Sequence, residues 1–174
     1  MQPTSKPGLV HLYCGDGKGK TTAAMGLALR ALGAGHSVTI LQFLKDGSSA
    51  ELAPLRTLGA RVLAGQTGSR FVFQMTEAER AQTRQYQSKL LRTVLAAPCD
   101  LLILDEACAA WQLDMVDRDL LQTAVLGRPA GREVVLTGRD PAPWMQQAAD
   151  YCTEMCARRH PYDRGVPARP GIEY

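Results

Sequence analysis

Residues able to bind and polarise phosphate gather in one stretch, Gly15-Asp16-Gly17-Lys18-Gly19-Lys20-Thr21-Thr22. It lies between apolar Val10-His11-Leu12-Tyr13 and the helix-forming run Ala23 to Leu32. The alternating glycines let the backbone bend so that successive N–H groups point inward, a cradle for phosphate oxygens. Lys20 can reach across that cradle to the phosphates, and the Thr21 hydroxyl can bind Mg²⁺ or Mn²⁺. Gly19-Lys20-Thr21 meets the pattern GxxxxGK[ST], whereas Cys14 stands at its first glycine. A glycine-rich turn that only caps a helix is the plainer alternative. The strand before, the helix after and the Lys-Thr pair favour phosphate.

A second group of acids stands where it can serve the first. Asp105-Glu106 ends the apolar run Leu101-Leu102-Ile103-Leu104. Such a pair commonly partners a phosphate loop, one carboxylate holding the metal directly or through water while the metal bridges phosphate oxygens. Thr21, Asp105 and Glu106 are therefore the candidate metal residues, and the expected nucleotide is ATP or a relative. In many ATPases a glutamate in the position of Glu106 activates water, so a hydrolase or nucleotide-driven regulatory module stays open. Lys18 reads equally as a triphosphate contact or an exposed turn lysine. Arg139 reads as a phosphate contact or as part of an Arg139-Asp140 salt bridge.

The elements that must position these groups follow from periodicity. Strands are expected at Leu9 to Tyr13, Val38 to Leu44, Arg61 to Leu63, Asp100 to Glu106, Glu133 to Thr137 and Tyr151 to Cys156. Helices are expected at Lys20 to Leu32, Glu51 to Leu58, Thr76 to Ala96, Val116 to Leu126 and Pro141 to Ala149, the last with Asp140 as N-cap. The first helix is apolar almost all round and should be buried. The third opens with the capping box Thr76-x-x-Glu79, and its weak stripe of Ala78, Ala81, Leu91, Val94 and Leu95 puts it outside. Strands alternating with helices, with central strands apolar on both faces, predict a P-loop NTPase-like three-layer α/β fold with a mostly parallel central sheet. Ligands of such sheets bind beyond the carboxyl ends of the strands. That rim collects the glycine turn, Lys45, Asp105-Glu106 and Thr137-Gly138-Arg139.

The bulk properties narrow the class. At 174 residues, 45% hydrophobic and 21% charged, the chain reads as one globular domain, with 1–7 disordered and 157–174 an irregular tail. A formal charge of +3 gives no mandate for nucleic acid. No stretch is long and apolar enough for a membrane span or signal peptide. Five cysteines without CxxC spacing suggest reduced thiols in a cytoplasmic protein, with Cys152 and Cys156 packed in the core.

The run Gly15 to Ala24 resembles the loop GNGKGKTTAA of the ATP:corrinoid adenosyltransferase family. The similarity continues through Gln42-Phe43-Leu44-Lys45, Leu104-Asp105-Glu106, Arg128-Pro129, Leu136-Thr137-Gly138-Arg139 and the ending Gly171-Ile172-Glu173-Tyr174. The resemblance implies transfer of the 5′-deoxyadenosyl group of ATP to the cobalt(I) of a reduced corrinoid, with release of tripolyphosphate. It also implies an electron donor for the cobalt and a homodimer. Cobalt would be the nucleophile, so no protein base is needed. Lys20, the loop amides of Gly15, Asp16, Gly17, Lys18, Gly19, Lys20, Thr21 and Thr22, the metal and Arg139 would steady the leaving triphosphate, lying reversed along the loop. Lys20, Thr21 and Glu106 would be the catalytic residues, with Thr21 and Glu106 holding the metal.

The family places an aromatic pair in the loop before the long helix, where it displaces the lower cobalt ligand, and Phe71-Val72-Phe73 matches. The alternative is that both rings are core on a short strand. The tail arginines Arg158, Arg159, Arg164 and Arg169 read as corrinoid contacts or, more plainly, as solvated charge. Three departures from the pattern stand out: Asp16 replaces asparagine beside the phosphates, Ala107-Cys108 replaces a larger aliphatic residue, and only a short lead precedes the first strand.

Overall fold

The computed structural model describes residues 8–65 and 72–173. The expected leading segment and Phe71 therefore lie outside the described residues. Six strands form one sheet: β1 (Val10–Cys14), β2 (Val38–Phe43), β3 (Arg61–Gly65), β4 (Leu101–Asp105), β5 (Glu133–Thr137) and β6 (Tyr151–Glu154), in the order β3-β2-β4-β5-β1-β6. Every pairing is parallel. The helices are α1 (Lys20–Gly33), α2 (Leu52–Thr57), α3 (Glu77–Leu95), α4 (Ala107–Gln112), α5 (Arg118–Leu126) and α6 (Pro143–Ala148).

Strand alternation explains the two cores. Leu101 and Ile103 of β4 face one way, with Ile40, Val135 and the Ala24, Met25 and Ala28 stripe of α1. Leu102 and Leu104 face the other way, packing with Leu91 of α3, Ala107 of α4, Leu121 of α5 and Met145 of α6. The sheet is thus the middle of three layers, and each fully buried leucine or isoleucine of β4 contributes about 1.5–3 kcal/mol. The unbroken apolar run of β4 follows from being covered on both sides.

The elements differ from the sequence expectation in several places. Helix α1 is not buried all round: Leu29 is 53% exposed, and only Ala24, Met25 and Ala28 are buried. Its alanines and glycines fit either environment, so composition alone cannot tell a core helix from one that covers a sheet. The stripe of α3 is also shifted. Ala78 and Ala81 are exposed while Thr83, Gln87 and Ser88 are buried with Leu91 and Val94. Ser88 is tolerated there because its hydroxyl donates to the Arg84 carbonyl (2.6 Å) and accepts the Asp117 amide (2.8 Å). The capping box is present, with the Glu79 amide donating to Thr76 Oγ1 and the Thr76 amide to Glu79 Oε2. Asp140 is not an N-cap. It sits at φ 49°, Ala142 caps, and α6 starts two residues later than expected, at Pro143. Helix α4 has no counterpart in the expectation, because it is short and enters through Glu106 at φ 60° without a side-chain cap, so no start signal marks it.

The carboxyl-terminal region is corrected most. Strand β6 ends at Glu154 and pairs only with β1, so it is an edge strand with all four residues exposed. Cys152 and Cys156 are exposed rather than core, since no helical layer covers this edge. A thiol count follows. Ellman's reagent on the native chain should modify Cys152 and Cys156 rapidly and leave buried Cys14, Cys99 and Cys108 protected until urea is added. Burial pushes the Cys108 thiol up to about 12. Rapid modification of three or more thiols in the native chain would contradict this arrangement. Among the described residues after β6, the chain forms a 3₁₀ turn at Pro161–Arg164.

Candidate active site

The carboxyl ends of β1, β2, β4 and β5 converge on the start of α1. The Gly15–Gly19 loop leaves β1 with Gly15 at φ 99° and Gly19 at φ 121°, conformations that disfavour side chains. Cys14 is the last strand residue and is not at positive φ, so a side chain there meets no strain and the missing first glycine is tolerated. The segment after β6 lies across the loop. Gly17 N–H donates to the Met155 carbonyl (2.6 Å), and the Met155 N–H donates to the Cys14 carbonyl (2.8 Å). A Cβ on Gly17 would come within 2.6 Å of the Met155 oxygen, so glycine is required by close approach.

Asp16 turns to this segment rather than to Lys18. Its Oδ1 accepts the Ala157 N–H at 3.0 Å, and that bond holds the carboxyl below its usual range. Its charge is therefore spent on anchoring the segment. Asp16→Asn keeps an acceptor and deletes the charge, so it should tighten ATP binding by about threefold at low salt and less at high salt. Calorimetry showing equal or weaker binding at low salt would refute a repulsive role for Asp16.

Lys20 opens α1, with its ammonium on the Gly17 carbonyl at 2.7 Å. Burial, then the neighbouring Arg139 guanidinium, holds it below its ordinary value. The α1 N-terminus has no side-chain cap and no acid in its first turn, which leaves its N–H groups suited to an anion. Beside the loop lies a cavity of about 620 Å³ lined by Gly15, Asp16, Arg139 and Arg158 among others. That volume falls in the range of small-molecule sites. Lys18 and Thr22 are exposed at the loop and at the start of α1.

Next to Lys20, Thr21 ties the loop to β4. Its hydroxyl donates to Asp105 Oδ1 at 2.8 Å. Asp105 is fully buried, and its remaining bonds come from Thr137 Oγ1 (2.7 Å), Lys45 Nζ (2.7 Å) and Gln42 Nε2 (3.2 Å). A carboxylate offers about four acceptor sites, so Asp105 is saturated. Glu106 follows at φ 60°, held by its N–H on Thr137 Oγ1 at 2.9 Å. Burial pushes its carboxyl up, against the opposing pull of Lys45. Thr21, Asp105 and Glu106 form an oxygen-only donor set of the kind that suits Mg²⁺ or Mn²⁺. Among the described residues no cluster of three or more His, Cys, Asp or Glu could hold a metal, so phosphate oxygens would have to complete any coordination shell.

The loop residues, Lys20, Thr21, Asp105, Glu106 and Arg139 thus share one rim. Phe73 does not join a core. It sits in the 3₁₀ turn Val72–Gln74, not on a strand, and is 79% exposed. Of the tail arginines, Arg169 is paired with Glu173 at 2.9 Å, which draws the glutamate down to about 2. Lys45 and Thr137 stand on the expected rim but carried no assigned role, and Gln42 was expected there only through the family resemblance. The available signal was a polar residue at or just past the end of an otherwise apolar strand.

Comparisons with known proteins give the family. A family model described as ATP:corrinoid adenosyltransferase BtuR/CobO/CobP matches residues 6–174. The chain is 32% identical to a corrinoid adenosyltransferase of Pseudomonas aeruginosa, covering 99% of this chain and 87% of that one. It is 31% identical to the corrinoid adenosyltransferase of Escherichia coli K12 and to corrinoid adenosyltransferase CobA of Salmonella typhimurium, each covering 99% of this chain and 89% of the other. A near-full-length match, carried by a fold whose strand ends assemble the loop lysine, threonine and acidic pair, has one consequence: the chain belongs to the ATP:corrinoid adenosyltransferase family.

Proposed function

We propose that the chain transfers the 5′-deoxyadenosyl group of ATP to the cobalt(I) of a reduced corrinoid and releases tripolyphosphate. In this reaction the cobalt electron pair forms a bond to carbon 5′. The carbon–oxygen bond breaks, its electrons leave with the tripolyphosphate, and the cobalt ends formally as cobalt(III). The protein's contribution is orientation and charge stabilisation, which need no protein nucleophile. The supporting observation is the pair of cations at the loop: Lys20 opens the uncapped α1, and Arg139, which lines the adjoining cavity, lies near enough to help hold Lys20 below its ordinary value, where negative charge would develop on the leaving group. The histidines are engaged elsewhere, His11 with Glu133, His36 near Asp100 and His160 with the Tyr162 amide.

Thr21 and Glu106 would hold Mg²⁺ or Mn²⁺, and Asp105 would orient Thr21 by accepting its proton. When bound, the metal would neutralise phosphate charge and fix the direction of the chain. Lys20 and the loop amides then carry the remaining negative charge. The same reading includes a separate electron donor for the cobalt, a cytoplasmic location and a homodimer. Among the described residues no helix is long and apolar enough to cross a membrane. Phe71 and Phe73 would contact the corrin, and the exposure of Phe73 supports a role outside the core.

The rival reading makes Glu106 a base for ATP hydrolysis, and one assay separates the two. ATP and chemically reduced cobalamin should give the absorbance change of cobalt–carbon bond formation together with tripolyphosphate. Steady formation of ADP and phosphate without any corrinoid would overturn the proposal.

A further inference from the structure

The ammonium of Lys45 lies among the two side chains assigned to the metal, Thr21 and Glu106, and the aspartate that orients Thr21. Its Nζ is 2.7 Å from Asp105 Oδ2, 3.3 Å from Thr21 Oγ1 and 3.9 Å from Glu106 Oε1. These are the same three side chains whose chemistry suits a divalent cation. The Thr21 proton is committed to Asp105, so Lys45 donates to a hydroxyl lone pair, on the same oxygen that a metal would need. Lys45 is also the residue that balances the charge of fully buried Asp105. Removing that balance without a replacement would be costly.

The backbone aims the side chain there. Leu44, directly after β2, takes φ 56°, a left-handed conformation that is unfavourable for a leucine and turns Lys45 back over the strand ends. Gly47, at φ 85°, then passes so close to β3 that a Cβ would meet the Ala64 side chain at 2.9 Å. The lysine is therefore held over the rim by its own loop. Its side chain is nevertheless 28% exposed, so a path outward exists.

We propose that Lys45 is the resident counter-ion of the metal position, occupying the space among Thr21, Asp105 and Glu106 in the nucleotide-free chain and leaving it when a divalent cation arrives with the triphosphate. The inference rests on the metal assignment made above. An ammonium and a divalent ion within one set of oxygens repel each other, so the two occupants exclude one another. Metal alone must displace a tethered cation with little gain. Metal with ATP brings phosphate oxygens that accept the displaced ammonium. Ordered arrival of metal and nucleotide together is the functional result.

The probe is Mn²⁺, titrated into the full chain without nucleotide at fixed ionic strength and followed by the electron paramagnetic resonance of the free ion. Wild type should bind Mn²⁺ weakly. Lys45→Met should bind it at least about tenfold more tightly, because a competing unit charge has been removed. Lys45→Gln, which keeps a donor for Asp105, should do the same and covers the case in which the methionine variant does not fold. Mn²⁺ should also raise the melting temperature of either variant more than that of wild type. Mn²⁺-dependent ATP binding by wild type, together with unchanged Mn²⁺ affinity in the folded variants, overturns the inference alone. ATP binding by wild type that is indifferent to divalent metal overturns the metal assignment, and the inference with it.

Discussion

Lys20→Ala should lower kcat/KM for corrinoid adenosylation by at least about 10²-fold, the size of effect seen when a preorganised donor to developing charge is deleted. The reason lies in where the ammonium is held. It rests on the Gly17 carbonyl at 2.7 Å, inside the loop and next to Arg139, partly withdrawn from water. Its attraction for phosphate is correspondingly less screened than that of a surface lysine. The structural cost should be small, because its one hydrogen bond contributes about 1 kcal/mol net. Thermal melts of the variant should therefore stay close to wild type while single-turnover adenosylation collapses. Lys20→Arg should restore little, since a planar guanidinium does not fit a cradle built around a compact ammonium. Retention of more than a tenth of wild-type turnover by Lys20→Ala would rule out the assigned role.

Asp105→Ala should have the largest effect on stability, about 3 kcal/mol, because it strands several donors at once. Thr21, Thr137, Lys45 and Gln42 all converge on this one buried carboxylate. Lys45 can swing toward water, which limits the loss, whereas Gln42 and Thr137 are buried and cannot. For a chain of this size that corresponds to a fall in Tm of about 6–12 °C. Asp105→Asn should lose less, since the threonine hydroxyls can rotate to accept from its amide. Urea denaturation of the two variants checks the order. Equal midpoints for wild type and Asp105→Ala would show that Asp105 is not the organiser of the strand ends.

The parts of the site that were legible from residues alone are those written in short-range patterns. Glycine spacing and the Lys20-Thr21 pair report a loop that must bend, and Gly15 and Gly19 do take positive φ there. The apolar run of β4, closed by Asp105-Glu106, reports a strand buried on both faces and ending in charge. The errors of burial share one cause, which is that alanine, glycine and cysteine fit several environments. Helix α1 therefore looked buried when it only covers a sheet, and Cys152 looked internal when it lies on an edge strand. Ala78 and Ala81 looked internal when they are exposed, and Ser88 and Gln87 face inward in their place.

The amino-acid sequence by itself determined the strand–glycine turn–helix unit, the alternating α/β plan and the common rim, because each is encoded within a few residues or by the periodicity of one element. Only the tertiary structure decided how the groups on that rim are used. Thr21 meets Asp105 across 84 residues, Lys45 meets it across 60, and Asp16 anchors Ala157 across 141. No local pattern records which of three neighbouring oxygens an ammonium will occupy, or that Asp105 is saturated while Glu106 is not. Those outcomes are set by the parallel sheet. Its order places the end of β4 between the ends of β2 and β5, and donors from both strands and from the start of α1 then compete for a single carboxylate.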